Sequence, residues 1–238
     1  RFGFTGTPVK KGDKNTFQNF GAAGENYLDK YGIDDAVRDG ATVPIYYMGR
    51  LTEWNLYDKE LDATFDQWFA GEPEEKREEI KRRGVTRGDL ARFKARIDLI
   101  AVDIWAHFRA HVQPDGFKAQ VVAIDRLACV RYKQALDRVI ANTLVKREGL
   151  SPEEARKRAG EMSVCVYSPG QHDKEQNPEL VTYQTPPEEV SSHVLPRFQD
   201  PNDPLSFLIV CNKLLTGFDA PIEQAMYLDN PLKDHNLL

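Results

Sequence analysis

Short apolar runs separated by longer polar and amphipathic stretches give this chain its pattern. Three runs, at residues 120–124, 163–167 and 207–211, are nearly continuous, rich in Val and Ile, and flanked by polar residues. This pattern is typical of strands buried on both faces of a parallel sheet. Weaker apolar runs at residues 43–47 and 225–228 predict two further strands.

Helix starts are predicted between these strands. Asp125 is a candidate N-cap for a helix whose apolar positions follow at near-helical spacing. Ser151 precedes a proline at the first helical position, and Glu154 stands three residues after the serine, which is the pattern of a capping box. Alternating strands and helices predict an α/β fold with a parallel sheet flanked by helices. Ligands of such sheets bind at loops beyond the carboxyl ends of the strands.

The stretch from about residue 52 to residue 112 has no strand pattern. Its charged part, "EPEEKREEIKRR", is followed by apolar residues at steps of three and four, namely Leu90, Phe93, Ile97, Ile100, Ile104 and Phe108. This spacing predicts an amphipathic helix. We interpret the stretch as a helical insertion that packs on the sheet domain, and an arm that binds a partner is the alternative.

Composition narrows the class of protein. The net charge is −5 over 238 residues, so any nucleic-acid contact has to be local rather than a matter of bulk charge. No apolar stretch approaches the roughly 20 residues of a membrane helix, so no membrane association is expected. Three cysteines (Cys129, Cys165 and Cys211) lack metal-ligand spacing, which favours a reducing, cytoplasmic setting.

Most candidate motifs in this sequence lack a residue that the corresponding chemistry requires at a fixed spacing. His107 and His111 are one helical turn apart, but they lack the Glu that a zinc protease places after its first His, so no metal site is predicted. The "FGAAGEN" segment is not followed by the Gly-Lys-Ser/Thr of a phosphate loop. The chain starts without Met and ends on "HNLL", and we expect it to be part of a longer protein.

Two loops remain as candidate sites: "TGTP" at residues 5–8 and "TGFDAP" at residues 216–221, the second directly after the most apolar run. Hydroxyls, backbone N–H groups near glycine, and a carboxylate are groups that bind phosphate and sugar. From these residues alone, an ordinary turn is the favoured interpretation at either position, and neither loop is specific.

Together with their surroundings, the two loops resemble those of the motor (R) subunit of type I restriction enzymes, within the superfamily 2 helicases and translocases. "GFTGTPV" is similar to motif III, and "YLDKYGIDDAVRDGATVPIYY" is similar to the family's connector into the second motor domain. "KAQVVAIDRLACVRYKQAL" is similar to motif IV, and "LLTGFDAPIEQAMYLDNPLKDHNLL" to motif V and its extension. The resemblance covers nearly the whole chain in the family's order.

The resemblance implies two RecA-like domains. Residues 1–42 would be the end of the first domain and the connector, and residues 43–238 the second domain, with the helical insertion at about 52–112. It implies nucleotide binding and coupling by Thr5, Thr7, Gly217 and Asp219, and DNA contact by Thr216 and Arg126. Before Arg126 this chain has Asp125, where many relatives have Ser or Thr.

The implied activity is that of an ATP-dependent type I site-specific deoxyribonuclease. In the intact subunit, hydrolysis of ATP with Mg²⁺ would drive translocation along double-stranded DNA, in a complex with methyltransferase and specificity subunits. The phosphate loop, the arginine finger of motif VI and a nuclease domain are absent from these 238 residues, so the chain alone is expected to be inactive. The alternatives are another superfamily 2 helicase, or a non-catalytic α/β interaction domain that retains the motor fold.

Overall fold

The computed structural model describes residues 10–11, 14–16, 20, 29–50, 73–75, 91–215 and 217–230. The chain divides into two compact units, Arg1–Asn55 with Leu232–Leu238, and Leu56–Pro231. The domain boundary predicted at residue 42 stays a prediction.

In the first unit, strands β1 (Lys10–Lys11) and β2 (Lys14–Asn15) pair antiparallel, and helix α1 spans Ile33–Arg38. The backbone N–H of Gly32 donates to the Asp35 carboxylate at 2.9 Å, which fixes the first turn of α1. Acidic residues in the first turn and Arg38 in the last turn complement the helix dipole.

The strand predicted at residues 43–47 is wrong. This segment has no regular secondary structure, and Val43 and Tyr46 are 75% and 88% exposed. A strand needs a neighbour for its backbone N–H and C=O groups, and Pro44 has no N–H to offer. Within the described residues, no strand pairs with this segment.

The second unit contains a four-stranded sheet. Its strands are β3 (Lys118–Ala123), β4 (Ser163–Val166), β5 (Phe207–Val210) and β6 (Glu223–Asp229). All pairings are parallel, in the order β4-β5-β3-β6. The three continuous apolar runs and the run at 225–228 therefore lie in strands, and the predicted α/β parallel fold is confirmed.

Helices flank this sheet. They are α2 (Lys94–His111), α3 (Arg126–Glu148), α4 (Pro152–Glu161), α5 (Asp173–Gln176), α6 (Pro178–Tyr183), α7 (Pro187–Glu189) and α8 (Leu195–Gln199), with a 3₁₀ turn at Gln113–Asp115 and a π-helical turn at Val190–Val194. Both predicted caps are confirmed. Asp125 accepts from the Ala128 backbone N–H at 2.8 Å, and Ser151 and Glu154 form the capping box of α4.

One face of the sheet is covered by α2 and α3. Phe108 of α2 lies 4.4 Å from Phe207 of β5, measured between ring centroids, and Ile97 and Ile104 are buried beside it. Helix α2 is thus a layer on the sheet, as the amphipathic interpretation of its sequence requires. The part of the predicted insertion at residues 52–72 and 76–90 lies outside the described residues.

The opposite face is covered by α8 and by the connection from β5 to β6. Phe198 of α8 is fully buried, and the Lys118 ammonium lies 5.7 Å from the centre of its ring. The same ammonium donates to the carbonyls of Arg197, Asp200 and Asp203, which fixes the end of α8 at the amino end of β3.

Candidate functional site

The predicted site lies on the connection between β5 and β6, residues 211–222, which we call the crossing loop. Both strands are parallel to β3, so a chain that leaves the carboxyl end of β5 has to return to the amino end of the sheet before β6 begins. Midway, the Leu214 carbonyl accepts from the Gln120 side chain of β3 at 3.3 Å. The crossing loop therefore runs over the sheet on the α8 face.

Gly217 has a backbone φ of +69°, in the left-handed region. A Cβ atom added there would meet nothing within 4 Å, so the backbone conformation alone favours glycine at this position. Thr216, the predicted DNA contact next to it, lies outside the described residues, as do Thr5 and Thr7.

Asp219 is exposed, but the backbone around it is anchored. Its carbonyl accepts from Gln199 Nε2 at 3.3 Å, and the ring of Phe218 lies 6.4 Å from that of Phe198. Among the described residues, the Asp219 carboxylate has no hydrogen-bond partner. A carboxylate held at a fixed backbone position and open to solvent is available to a ligand, and this geometry disfavours a role as a cap of the following turn.

The location of Asp219 differs from the expected one. The loop was predicted at the carboxyl end of β5, where α/β sheets place their ligands. The structure instead puts Asp219 beside Gln199, at the amino end of the sheet, four residues before β6 begins. The described residues of the crossing loop form no helix that could return the chain, so they pass over the sheet, and the last of them reach the other edge.

Arg126 lies at the opposite edge. It begins α3, directly beyond the carboxyl end of β3, and its guanidinium forms a short ion pair with Asp173, whose side chain is only 8% exposed. Asp173 also accepts from the Gly170 backbone N–H at 2.6 Å. About a third of the Arg126 side chain remains exposed. The structure thus brings Gly217 and Asp219 together and does not bring Arg126 to them.

Sequence reasoning missed an ion-pair cluster at the carboxyl end of β6. Arg96 of α2 donates to both carboxylate oxygens of Asp229, at 2.7 and 2.5 Å, and the Tyr132 hydroxyl of α3 donates to the same carboxylate at 2.6 Å. Burial, with the neighbouring Asp229 charge, raises the pKa of Tyr132 above its ordinary value, so the hydroxyl stays a donor. The cluster ties two helices to the last strand. The signal available in the sequence was an Asp directly after an apolar run.

A second unpredicted group is Glu223, at the junction of the crossing loop and β6. Burial raises the pKa of its carboxyl to about 7, and its Oε2 atom has no hydrogen-bond partner in the described part of the protein. Around neutral pH this carboxyl is partly protonated.

None of the helices in the described ranges is both long and apolar enough to cross a membrane. The same ranges hold no group of three or more His, Cys, Asp or Glu side chains arranged to bind a metal ion. His107 instead shares a 2.9 Å hydrogen bond with the Tyr227 hydroxyl.

A parallel sheet flanked by helices defines the class as an α/β domain, and this fold is consistent with a RecA-like helicase domain. Family profiles match two parts of the chain. Residues 1–78 match the SWI2/SNF2 ATPase family, and residues 145–238 match type I restriction enzyme subunit R domain 3.

Individual relatives agree with this class. The chain is 34% identical, over all of its length and 23% of the relative's, to a protein of Methanocaldococcus jannaschii provisionally named as the type I restriction enzyme MjaVIIP endonuclease subunit. It is also 34% identical, over 99% of its length and 20% of the relative's, to the type I restriction enzyme HindI endonuclease subunit of Haemophilus influenzae. The chain belongs to the family of type I restriction enzyme R subunits, and it spans about a fifth of the length of these relatives.

Proposed function

We propose that this chain is part of the ATP-dependent DNA-translocating motor of a type I restriction endonuclease. In the intact subunit, ATP hydrolysis would drive movement along double-stranded DNA and lead to its cleavage. The observation that carries the proposal is the crossing loop: it exposes Asp219 on an anchored backbone, within the residues that match R domain 3.

Asp219 is proposed to contact the nucleotide, or the domain that binds it across the motor cleft. The Phe218 ring and the Gln199 bond hold the backbone on either side, so the carboxylate is positioned before a ligand arrives. Preorganised polar groups lose little free energy to rearrangement when charge develops during phosphoryl transfer. Thr5 and Thr7 belong to the same proposal as residues on the nucleotide side.

Thr216 and the Gly217 backbone are proposed to meet a DNA phosphate, with Arg126 as a further contact. The Arg126 guanidinium has five N–H donors, and its ion pair with Asp173 leaves part of the group exposed to a phosphate oxygen. Contacts of this kind position DNA without reading its sequence. Sequence recognition would rest with the specificity subunit, and modification with the methyltransferase subunit, of a cytoplasmic complex.

ATP is the proposed substrate, bound with Mg²⁺. The described residues contain no group of three or more His, Cys, Asp or Glu side chains that could hold the metal, so no residue of this part of the chain is proposed as a ligand. The chain by itself is expected to hydrolyse no ATP, because its sequence has no phosphate loop.

The test is DNA-stimulated ATP hydrolysis by the intact subunit assembled with its partner subunits. Asp219→Ala is expected to lower the rate about 10- to 100-fold, since a lost charged hydrogen bond costs about 1.5–3 kcal/mol. The melting temperature should not change, because the carboxylate makes no contact within the described fold. Asp115→Ala, at another exposed aspartate, is the matched control and should keep the wild-type rate.

Three results would contradict the proposal in different ways. Wild-type rates in Asp219→Ala would remove the role given to this side chain. A wild-type subunit with no DNA-stimulated hydrolysis would favour a non-catalytic interaction domain. Strand separation without translocation along duplex DNA would favour another superfamily 2 helicase.

A further inference from the structure

Gln120 is an unusual residue for its position in the fold. It lies on β3, in the interior of the sheet, in register with Leu208 of β5 and Met226 of β6, and its side chain is fully buried. A buried amide loses its hydrogen bonds to water, and this loss is offset only where the fold supplies partners.

Among the described residues, only one of the two polar atoms of the Gln120 amide has a hydrogen-bond partner. Its Nε2 donates to the Leu214 carbonyl at 3.3 Å, near the long end of the range for such bonds. Its Oε1 is buried and has no partner among the described residues. A leucine of similar volume would not carry this unsatisfied oxygen, so core stability does not account for glutamine at this position.

Leu214, which receives the bond, is itself strained. Its φ is +61°, and it is the single non-glycine residue with positive φ in the described part of the chain. A side chain in the left-handed region crowds its own carbonyl, so the conformation persists only where neighbouring groups hold it. Gln120 is the group seen to hold it.

The strained residue stands at the start of the functional segment. Leu214 precedes Thr216 by two residues and Gly217 by three, and the crossing loop is next anchored at Phe218. The direction in which the chain leaves Leu214 therefore helps to set where Gly217 lies above the sheet.

We propose that Gln120 is a positioning residue of the motor: its amide holds Leu214 in the left-handed conformation and thereby places the Gly217–Asp219 segment for its ligands. The inference rests on the proposed function of that segment. It assigns Gln120 no contact with nucleotide or DNA.

The decisive variant is Gln120→Leu in the intact, assembled subunit. It should lower DNA-stimulated kcat for ATP about tenfold, while the melting temperature stays the same or rises because the unpaired oxygen is gone. Gln134→Leu is the matched control: it removes an amide that also donates one hydrogen bond, to the Tyr183 hydroxyl at 3.5 Å, and it should keep the wild-type kcat.

A second substitution tests the link to Leu214. Glycine adopts positive φ without strain. Leu214→Gly, added to Gln120→Leu, should therefore recover at least threefold of the lost kcat. No recovery would overturn the assigned link, and so would a loss of activity in Gln120→Leu that follows a lower melting temperature.

Hydrogen exchange of peptides covering the crossing loop separates this inference from the proposed function. Gln120→Leu should raise amide exchange in residues 211–217 about tenfold and leave β5 unchanged, whether or not the subunit hydrolyses ATP. Unchanged exchange overturns the positioning role even if the motor is active. Absence of DNA-stimulated hydrolysis in the wild type refutes the motor, while the exchange result still decides the role of Gln120.

Discussion

The two faces of the parallel sheet are covered in different ways. On one face lie α2 and α3, of 18 and 23 residues, joined to each other and to β6 by aromatic contacts and the cluster of Arg96, Asp229 and Tyr132. On the other face lie α8, which is the last part of a continuous helix over residues 187–199 that contains the π-helical turn, and the crossing loop, whose described residues include two with left-handed backbone.

We propose that this difference separates the groups that stabilise the fold from those that serve its activity. Long helices on a continuous apolar surface bury area and satisfy most of their backbone groups internally, which stabilises the fold. The loop face keeps an exposed carboxylate, a strained leucine and a half-satisfied glutamine, none of which stabilises the native state. Features of that kind are found where backbone geometry serves a ligand.

The largest expected effect is a loss of stability on the face of the sheet that α2 and α3 cover. Asp229→Ala leaves Arg96 and the Tyr132 hydroxyl without their shared partner, and removing one member of this largely buried ion pair should cost about 3–4 kcal/mol, at the lower end of the range for buried pairs. Urea unfolding should show this loss. Asp98→Ala removes a more exposed ion pair with Arg138, whose side chains are 40% and 47% exposed, and should cost less than about 1 kcal/mol. Equal losses of unfolding free energy in the two variants would show that the cluster has no special role in stability.

The next effect concerns Glu223, where the crossing loop enters the sheet. Its carboxyl has a pKa of about 7 in the folded protein, against 4.5 as the ordinary value. The folded state therefore holds a proton between these values that the unfolded state releases, and stability falls as pH rises through this window. The loss is about 1.4 kcal/mol per pH unit, or about 3 kcal/mol in all.

Glu223→Gln should remove this pH dependence between about pH 4.5 and 7, and should make the protein more stable than wild type at pH 8. Melting temperatures measured across that range check the prediction. Glu161→Gln, at an exposed carboxylate, is the control and should keep the wild-type slope. The same slope in Glu223→Gln as in wild type would show that Glu223 is ionised normally.

The smallest expected effect on stability sharpens the contrast between the faces. Gly217 and Gly116 both have positive φ, +69° and +78°, and neither has an atom within 4 Å of an added Cβ. Alanine at either position should cost about 1–2 kcal/mol, from backbone strain alone. In the assembled subunit, Gly217→Ala should also lower DNA-stimulated ATP hydrolysis beyond this shared loss of stability, and Gly116→Ala should not. Equal rates would place Gly217 outside the site.

Local sequence signals were sufficient where the structure depends on neighbours along the chain. Ser151 and Glu154 are three residues apart and predicted a capping box that forms, and Asp125 predicted the start of α3. The continuous runs around Val121 and Ile209 predicted strands that are buried on both sides. Each of these patterns can satisfy its backbone groups, or bury its apolar area, in only one local structure.

Residues 43–47 show where the same reasoning fails. Their apolar pattern resembles that of β3, but a strand forms only where another strand accepts its hydrogen bonds, and apolar composition does not specify that partner. The prediction of the site was incomplete for a similar reason, because it named residues without the partners that they contact. The resemblance selected Gly217 and Asp219, and the sequence contained no signal for the ion pair of Arg126 with Asp173, which lies 47 residues away along the chain.

The sequence by itself determined the parallel α/β fold, the caps of its helices and the family, because these follow from local periodicity, capping chemistry and the order of motifs. The tertiary structure decided the path of the crossing loop, since two parallel strands joined without a helix force their connection across the sheet. It also decided the environment of Gln120, whose meaning depends on a contact with Leu214, 94 residues away. Burial and pairing at such distances are set by packing, which no short stretch of sequence specifies.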